Sequence, residues 1–252
     1  MHIRHMSWAV AGLTLLAMPA LAQDEPAADP AAAEPAPSLL EIWPDDRIYG
    51  DPDAPVTIFE FSSLTCPHCA AFHTDTLPEI KSELIDTGQA NLVIRHFPLD
   101  QLAMTAALVA ECVPEQHYYP FIDVLYGTQE KWVTARDPMQ TVLQTAMLAG
   151  VPEPALTSCM QDETVLNGIL SVRLRAQTEL GVQSTPTFFI GGAMVRGAQP
   201  FGVFAEAVEA AAAAAPADEP EAQAEEEPAE PEAPAAPEAP AADEAEPATA
   251  EE

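Results

Sequence analysis

Between about Leu39 and about Ala210 the apolar residues are patterned; on either side they are not. Val56-Thr57-Ile58-Phe59-Glu60-Phe61 is a β-branched and aromatic run, entered through Asp53-Ala54-Pro55, and predicts a strand. A helix follows from Pro67 to about Ile85 and closes near Gly88. Pro78 cannot bond the Thr74 carbonyl, so a kink is expected there. Asn91 to Phe97 reads as a second strand, ended by Pro98. A strand–helix–strand unit of this kind crosses over right-handed and lays its two strands parallel.

The period then changes. From Asp100 to Leu180 the punctuation is helical. Asp100 can cap a helix that Pro114 stops, another lies around Glu115 to Tyr126, Asp137-Pro138 opens one that stops at Gly150, and Asp162 opens one that ends at Gly181. Strands resume with Thr187-Phe188-Phe189-Ile190 and Ala193-Met194-Val195-Arg196 around Gly191-Gly192, a hairpin signature, and Pro200 leads into a final helix from Phe201 to about Ala214. The order is β-α-β, a helical block over about 99–180, then β-β-α: an α/β domain over 39–215 with a helical insertion.

The flanks differ in composition. Residues 1–22 read as a secretory signal, with Arg4 at its start, Trp8 to Leu16 apolar and Ala20-Leu21-Ala22 as the cleavage pattern. An uncleaved anchor is the alternative, but the apolar run is short of the roughly 20 residues a span needs. Residues 23–38 and 216–252 are rich in Ala, Pro and acids, have too little to bury, and are expected to be disordered. Net charge is −31, with fourteen acids in 218–252 and four in the linker. Without those eighteen acids and Arg4 the folded region stays at −14, which argues against nucleic acid and anionic lipid as partners.

Export changes how cysteines are read, because disulfides persist outside the cytosol. Cys66-Pro67-His68-Cys69 sits where the first strand hands over to the first helix. Cys66 would be the N-cap and Pro67 the first helical residue, where a missing N–H loses nothing. The free N–H groups of that turn then favour a Cys66 thiolate, to which His68 can add a hydrogen bond or charge. Cys69 lies one turn on, within disulfide reach. A stabilised thiolate makes the reduced form favourable and the Cys66–Cys69 disulfide oxidising. A purely structural bridge and half of a zinc site are the competing readings; no second Cys-x-x-Cys or His-x-x-x-His supplies further zinc ligands.

Together with Gly181-Val182-Gln183-Ser184-Thr185-Pro186-Thr187 before the hairpin, the motif and the helical insertion resemble the DsbA-type branch of the thioredoxin superfamily, over about Ala54 to Glu209. The resemblance implies a thioredoxin fold and a thiol–disulfide oxidoreductase. It further implies a cis Pro186 against the cysteine pair, and a Thr185 backbone that pairs with substrate. Glu60 corresponds to an acid beneath the site that passes protons with Cys69; burial on an apolar strand should raise its pKa. An outward-facing Glu60 is the alternative. His73, His96, His117, Trp132 and Tyr118-Tyr119 need no catalytic role.

Cys112 and Cys159 remain. Leftover cysteines in an exported protein usually pair, and some relatives carry such a helical-domain bridge; a second redox pair is the alternative. The expected function is oxidation of reduced or unfolded exported proteins in the periplasm by a monomer, with a quinone-linked membrane protein as reoxidant and no metal or organic cofactor. The rivals are an isomerase or reductase, and a non-enzymatic chaperone-like binding module.

Overall fold

The structure, a computed structural model, describes residues 38–214. The expected leader, the linker apart from Ser38, and the acidic tail lie outside the described residues. No helix among the described residues is long and apolar enough to cross a membrane.

Five strands form one sheet in the order β1-β3-β2-β4-β5. The central β2 (Thr57–Ser62) pairs in parallel with β3 (Asn91–His96), from Thr57 opposite Asn91 to Ser62 opposite His96. On its other side β2 runs antiparallel to β4 (Thr187–Ile190), which forms the hairpin with β5 (Ala193–Arg196). The edge strand β1 (Ile48–Tyr49) pairs antiparallel with β3. At two residues it is too short to show any alternation, and the sequence reading did not contain it.

Alternation along the strands sends side chains to two cores. Ile58, Leu92, Ile94, Phe188 and Ile190 pack in the larger core with most of the helices. Phe59, Phe61, Val93 and Phe189 pack on the opposite face with Leu39, Ala176 and Val182. A sheet covered on both faces needs apolar residues at successive positions, and β2 and β3 supply them. At the hairpin, Gly191 has φ +54°, and a Cβ there would fall 2.5 Å from that of Ala211. Only glycine allows both the turn and the approach of the last helix.

The helix after β2 opens as α1 (Pro67–Ala71), widens into a π turn (Phe72–Thr76), continues as α2 (Leu77–Ile80) and ends in a second π turn (Lys81–Ile85). The Leu77 N–H donates to the Phe72 carbonyl, five residues back. Widening the turn before Pro78 thus accommodates the residue that cannot donate and whose ring would crowd the Thr74 carbonyl. Phe72 and His73, on this turn, are both buried.

The inserted block holds α3 (Gln101–Glu111), α4 (Glu115–Gly127), α5 (Gln129–Val133), α6 (Pro138–Leu148), α7 (Glu153–Met160) and α8 (Glu163–Thr178). Three aspartates cap helices as their positions predict. Asp100, Asp137 and Asp162 accept from the N–H groups of Ala103, Gln140 and Thr164, each cap being worth about 1 kcal/mol. The sequence reading assigned no element to the short α5, and α7 had no start of its own. The chain closes with α9 (Phe201–Ala214) against the larger core.

Candidate active site

Strand β2 leads through Ser63-Leu64-Thr65 to Cys66, which is extended (φ −80°, ψ 119°) and caps α1, with Pro67 in the first turn. The N–H groups of Cys69 and Ala70 both reach the Cys66 carbonyl at 3.1 Å. Cys66 and Cys69 are free thiols. Cys66 keeps 6% of its surface and Cys69 none, so Cys66 is far less open than a bare helix end would leave it.

What covers Cys66 is the loop before β4. The Thr185–Pro186 peptide bond is cis. The Cys66 thiol donates to the Thr185 carbonyl at 3.3 Å. The Thr185 hydroxyl is buried with no hydrogen-bond partner. The Pro186 carbonyl accepts from the Gly197 N–H, tying the loop to the end of β5.

The two thiols are driven apart in acidity. Hydrogen bonding from Cys69 lowers the Cys66 pKa most; burial opposes it, and the Thr185 side chain and the Cys69 and His68 N–H groups lower it further, from 9.0 to about 5. Burial raises the Cys69 pKa most, and the neighbouring Cys66 and Glu60 raise it further. One cysteine is held as thiolate and the other as thiol. The His68 side chain is exposed, and what it brings to Cys66 is a backbone N–H.

Glu60 lies on β2 with none of its surface exposed. Both its carboxylate oxygens sit 3.1 Å from His73 Nε2. His73 comes from the π turn one helical turn beyond Cys69. Its ring stacks on Tyr126 at 4.0 Å between centroids, and the Tyr126 hydroxyl meets Ser62 Oγ at 2.7 Å. Sequence reasoning assigned His73 no role, although its spacing from Cys69 was visible; that it faces Glu60 was not. It also missed Gln129, which lies at the start of α5 with 8% exposure. The Gln129 amide donates to the Leu64 carbonyl (2.8 Å) and the Cys66 carbonyl (3.0 Å), clamping the cysteine loop to the inserted block. Nothing in the local sequence marks a lone glutamine for that task. Asp100 adds a second tie, accepting from the Thr65 hydroxyl at 2.7 Å.

Away from the site, Cys112 and Cys159 are joined by a disulfide with Cα atoms 5.8 Å apart, linking the ends of α3 and α7. Tyr118, Tyr119, Trp132 and His96 are buried, and His117 is exposed. No group of three or more metal-ligating side chains occurs among the described residues.

The family model described as Thioredoxin matches residues 43–210. Among solved structures, alpha-DsbA1 of Wolbachia pipientis is 30% identical with a TM-score of 0.64; the alignment covers 70% of this chain and 96% of that one. A Rickettsia bellii chain, provisionally assigned as a protein-disulfide oxidoreductase, is 26% identical over 154 residues, which is 61% of this chain and 60% of that one. Disulfide bond formation protein D of Bacillus subtilis is 23% identical over 178 residues, 64% of this chain and 75% of the relative. The chain thus spans about three fifths of the Rickettsia relative's length.

Proposed function

This chain belongs to the thioredoxin family, in its DsbA-like branch, and from that premise we propose that it is a thiol–disulfide oxidoreductase that introduces disulfides into exported proteins. The observation that carries the proposal is the placement of Cys66 at the start of a helix and against the Thr185 carbonyl, with Cys69 fully buried behind it. That arrangement lowers the pKa of one thiol and raises that of the other. A dithiol with one stabilised thiolate resists reoxidation by substrate, so its disulfide is a strong oxidant.

In the oxidising direction a substrate thiolate attacks Cys66 Sγ and the Cys66–Cys69 bond breaks. Its electron pair goes to Cys69, which takes up a proton because its thiol is the favoured form. A second substrate thiolate then attacks the substrate sulfur of the mixed disulfide and expels Cys66 as the stable thiolate. Attack falls on Cys66 because Cys69 has no exposed surface. The Thr185 backbone, next to Cys66, is the place for an extended substrate segment to pair. Gln129 and Asp100 act as positioning residues for the cysteine loop.

The cellular setting completes the reading. Cleavage after residue 22 would release a monomer into the periplasm, where a quinone-linked membrane protein restores the disulfide from the dithiol.

A redox titration of Cys66–Cys69 against glutathione tests the function. The expected potential lies well above the roughly −270 mV of thioredoxin. A thioredoxin-like value would replace the oxidase with a reductase or isomerase. Changing Cys69 to Ala should accumulate mixed disulfides on Cys66, visible on a non-reducing gel. If changing both cysteines left cellular function intact, a chaperone-like role would replace catalysis.

A further inference from the structure

The chemistry proposed above requires Cys69, which has no exposed surface, to gain a proton in each reduction and lose it in each reoxidation. We propose that His73 carries that proton between Glu60, beneath the cysteine pair, and Asp123 at the surface. The inference rests on the oxidoreductase reading and deepens it by naming the route.

The geometry is that of a bridge. On its inner side, His73 Nε2 faces both Glu60 oxygens at 3.1 Å. Glu60 in turn is near enough to Cys69 for its charge to raise that thiol's pKa. On the outer side, His73 Nδ1 is buried and has no hydrogen-bond partner, and Asp123 Oδ1 lies 3.9 Å away. At that distance Asp123 is a charged neighbour rather than an acceptor, and the relay requires its carboxylate to turn toward Nδ1 for the transfer. Asp123 is 43% exposed and pairs with Lys81 Nζ at 2.8 Å, so it meets both the imidazole and water. The side chain joining a fully buried carboxylate to a half-exposed one is His73.

The charged and titratable groups around the ring and its two carboxylates come from four elements. Glu60 lies on β2, Cys69 on α1, Asp123 and Tyr126 on α4, and Lys81 on the second π turn, where it reaches Asp123. Burial works against a charged His73, but Glu60 and Asp123 outweigh it and raise its pKa. An imidazole with a carboxylate facing each ring nitrogen can accept a proton on one side and donate one on the other.

The transfers balance. Attack on Cys66 breaks the disulfide and leaves the electron pair on Cys69. Cys69 takes a proton from Glu60, Glu60 takes one from His73 Nε2, and His73 is refilled at Nδ1 from the Asp123 side. Reoxidation runs each transfer backwards, so the ring need not turn over between half-cycles.

The test compares reduction of the oxidised protein by dithiothreitol, followed by stopped flow from pH 5 to 9 in H2O and D2O, with rates normalised to reductant thiolate. His73→Gln keeps an amide donor for Glu60 but cannot relay. Asp123→Asn, half-exposed, leaves the core untouched. Both should slow the reaction by about tenfold or more and flatten its pH profile. The Cys66 titration near 5 should stay in place. Wild-type rates and isotope effects in both variants would overturn the relay, and so would a slow His73→Gln beside a normal Asp123→Asn, which would leave His73 a support for Glu60. A wild-type protein that does not exchange with dithiothreitol would instead remove the oxidoreductase reading itself.

Discussion

The Cys66 sulfur lies 3.3 Å from the carbonyl oxygen of Thr185, across 119 residues of sequence. One residue therefore meets the thiol in both its states. The Thr185 carbonyl accepts from the protonated sulfur, and the Thr185 hydroxyl, buried and otherwise without a partner, is placed to donate to the thiolate.

Replacing Thr185 with Val removes that donor and keeps the shape. The Cys66 pKa should rise from about 5 while the carbonyl contact remains. Thiolate absorbance at 240 nm against pH measures it. An unchanged titration would assign the low pKa to Cys69 and the backbone N–H groups alone.

The opposed acidities also set how the redox potential varies with pH. Between about 5 and the high pKa of Cys69, reduction takes up one proton for two electrons. The potential should fall by about 30 mV per pH unit from pH 6 to 8, and by about 59 mV per unit below the Cys66 pKa. A slope near 59 mV at neutral pH would mean that both thiols are protonated there. The same shift stabilises the reduced protein. Because the folded Cys66 pKa lies below the ordinary 9.0, the contribution is complete above that value and is lost as pH falls through about 5.

Truncating Gln129 to Ala leaves the buried Leu64 carbonyl without its side-chain donor, whereas the Cys66 carbonyl keeps the N–H groups of Cys69 and Ala70. An unsatisfied buried acceptor costs about 1–3 kcal/mol. Chemical denaturation should show a loss of that order, and the freed cysteine loop should lower the rate of exchange with substrate peptides. A variant as stable as the parent would show that other donors replace the amide.

The Cys112–Cys159 disulfide spans 47 residues. Changing both cysteines to Ala should lower stability by up to about 4 kcal/mol on the chain-entropy account. It should leave the Cys66 titration in place, since the bridge joins helices away from the site. Mild reductant followed by alkylation should label Cys66 and Cys69 before the bridge. Early labelling of Cys112 would make it a labile pair rather than a structural one.

The parts of this protein that depend on neighbours in sequence are legible in the sequence alone. The strand-to-helix hand-over at Cys66-Pro67, the aspartate caps at positions 100, 137 and 162, and the Gly191-Gly192 hairpin each express a local backbone requirement that one or two residue types meet. Parallel pairing of β2 with β3 followed from the helix between them. The burial of Glu60 was visible in an apolar strand. The π turns were not, because Pro78 announces that a bond is lost but not whether the helix bends or widens to absorb it.

What the tertiary structure alone decided is who faces whom. The sequence could place Cys66 on a helix start, yet the packing of the cis Thr185-Pro186 loop determines that its sulfur is covered rather than open. It could mark Glu60 as buried, but His73 and Asp123 become its path to the surface only where β2, the π turn and α4 converge. Gln129 acquires its task from two carbonyls more than sixty residues earlier. Backbone preference acts over a few residues and leaves its mark in the residue types themselves. Hydrogen bonds and charge act through space, between groups whose distance is set when both faces of the sheet are packed.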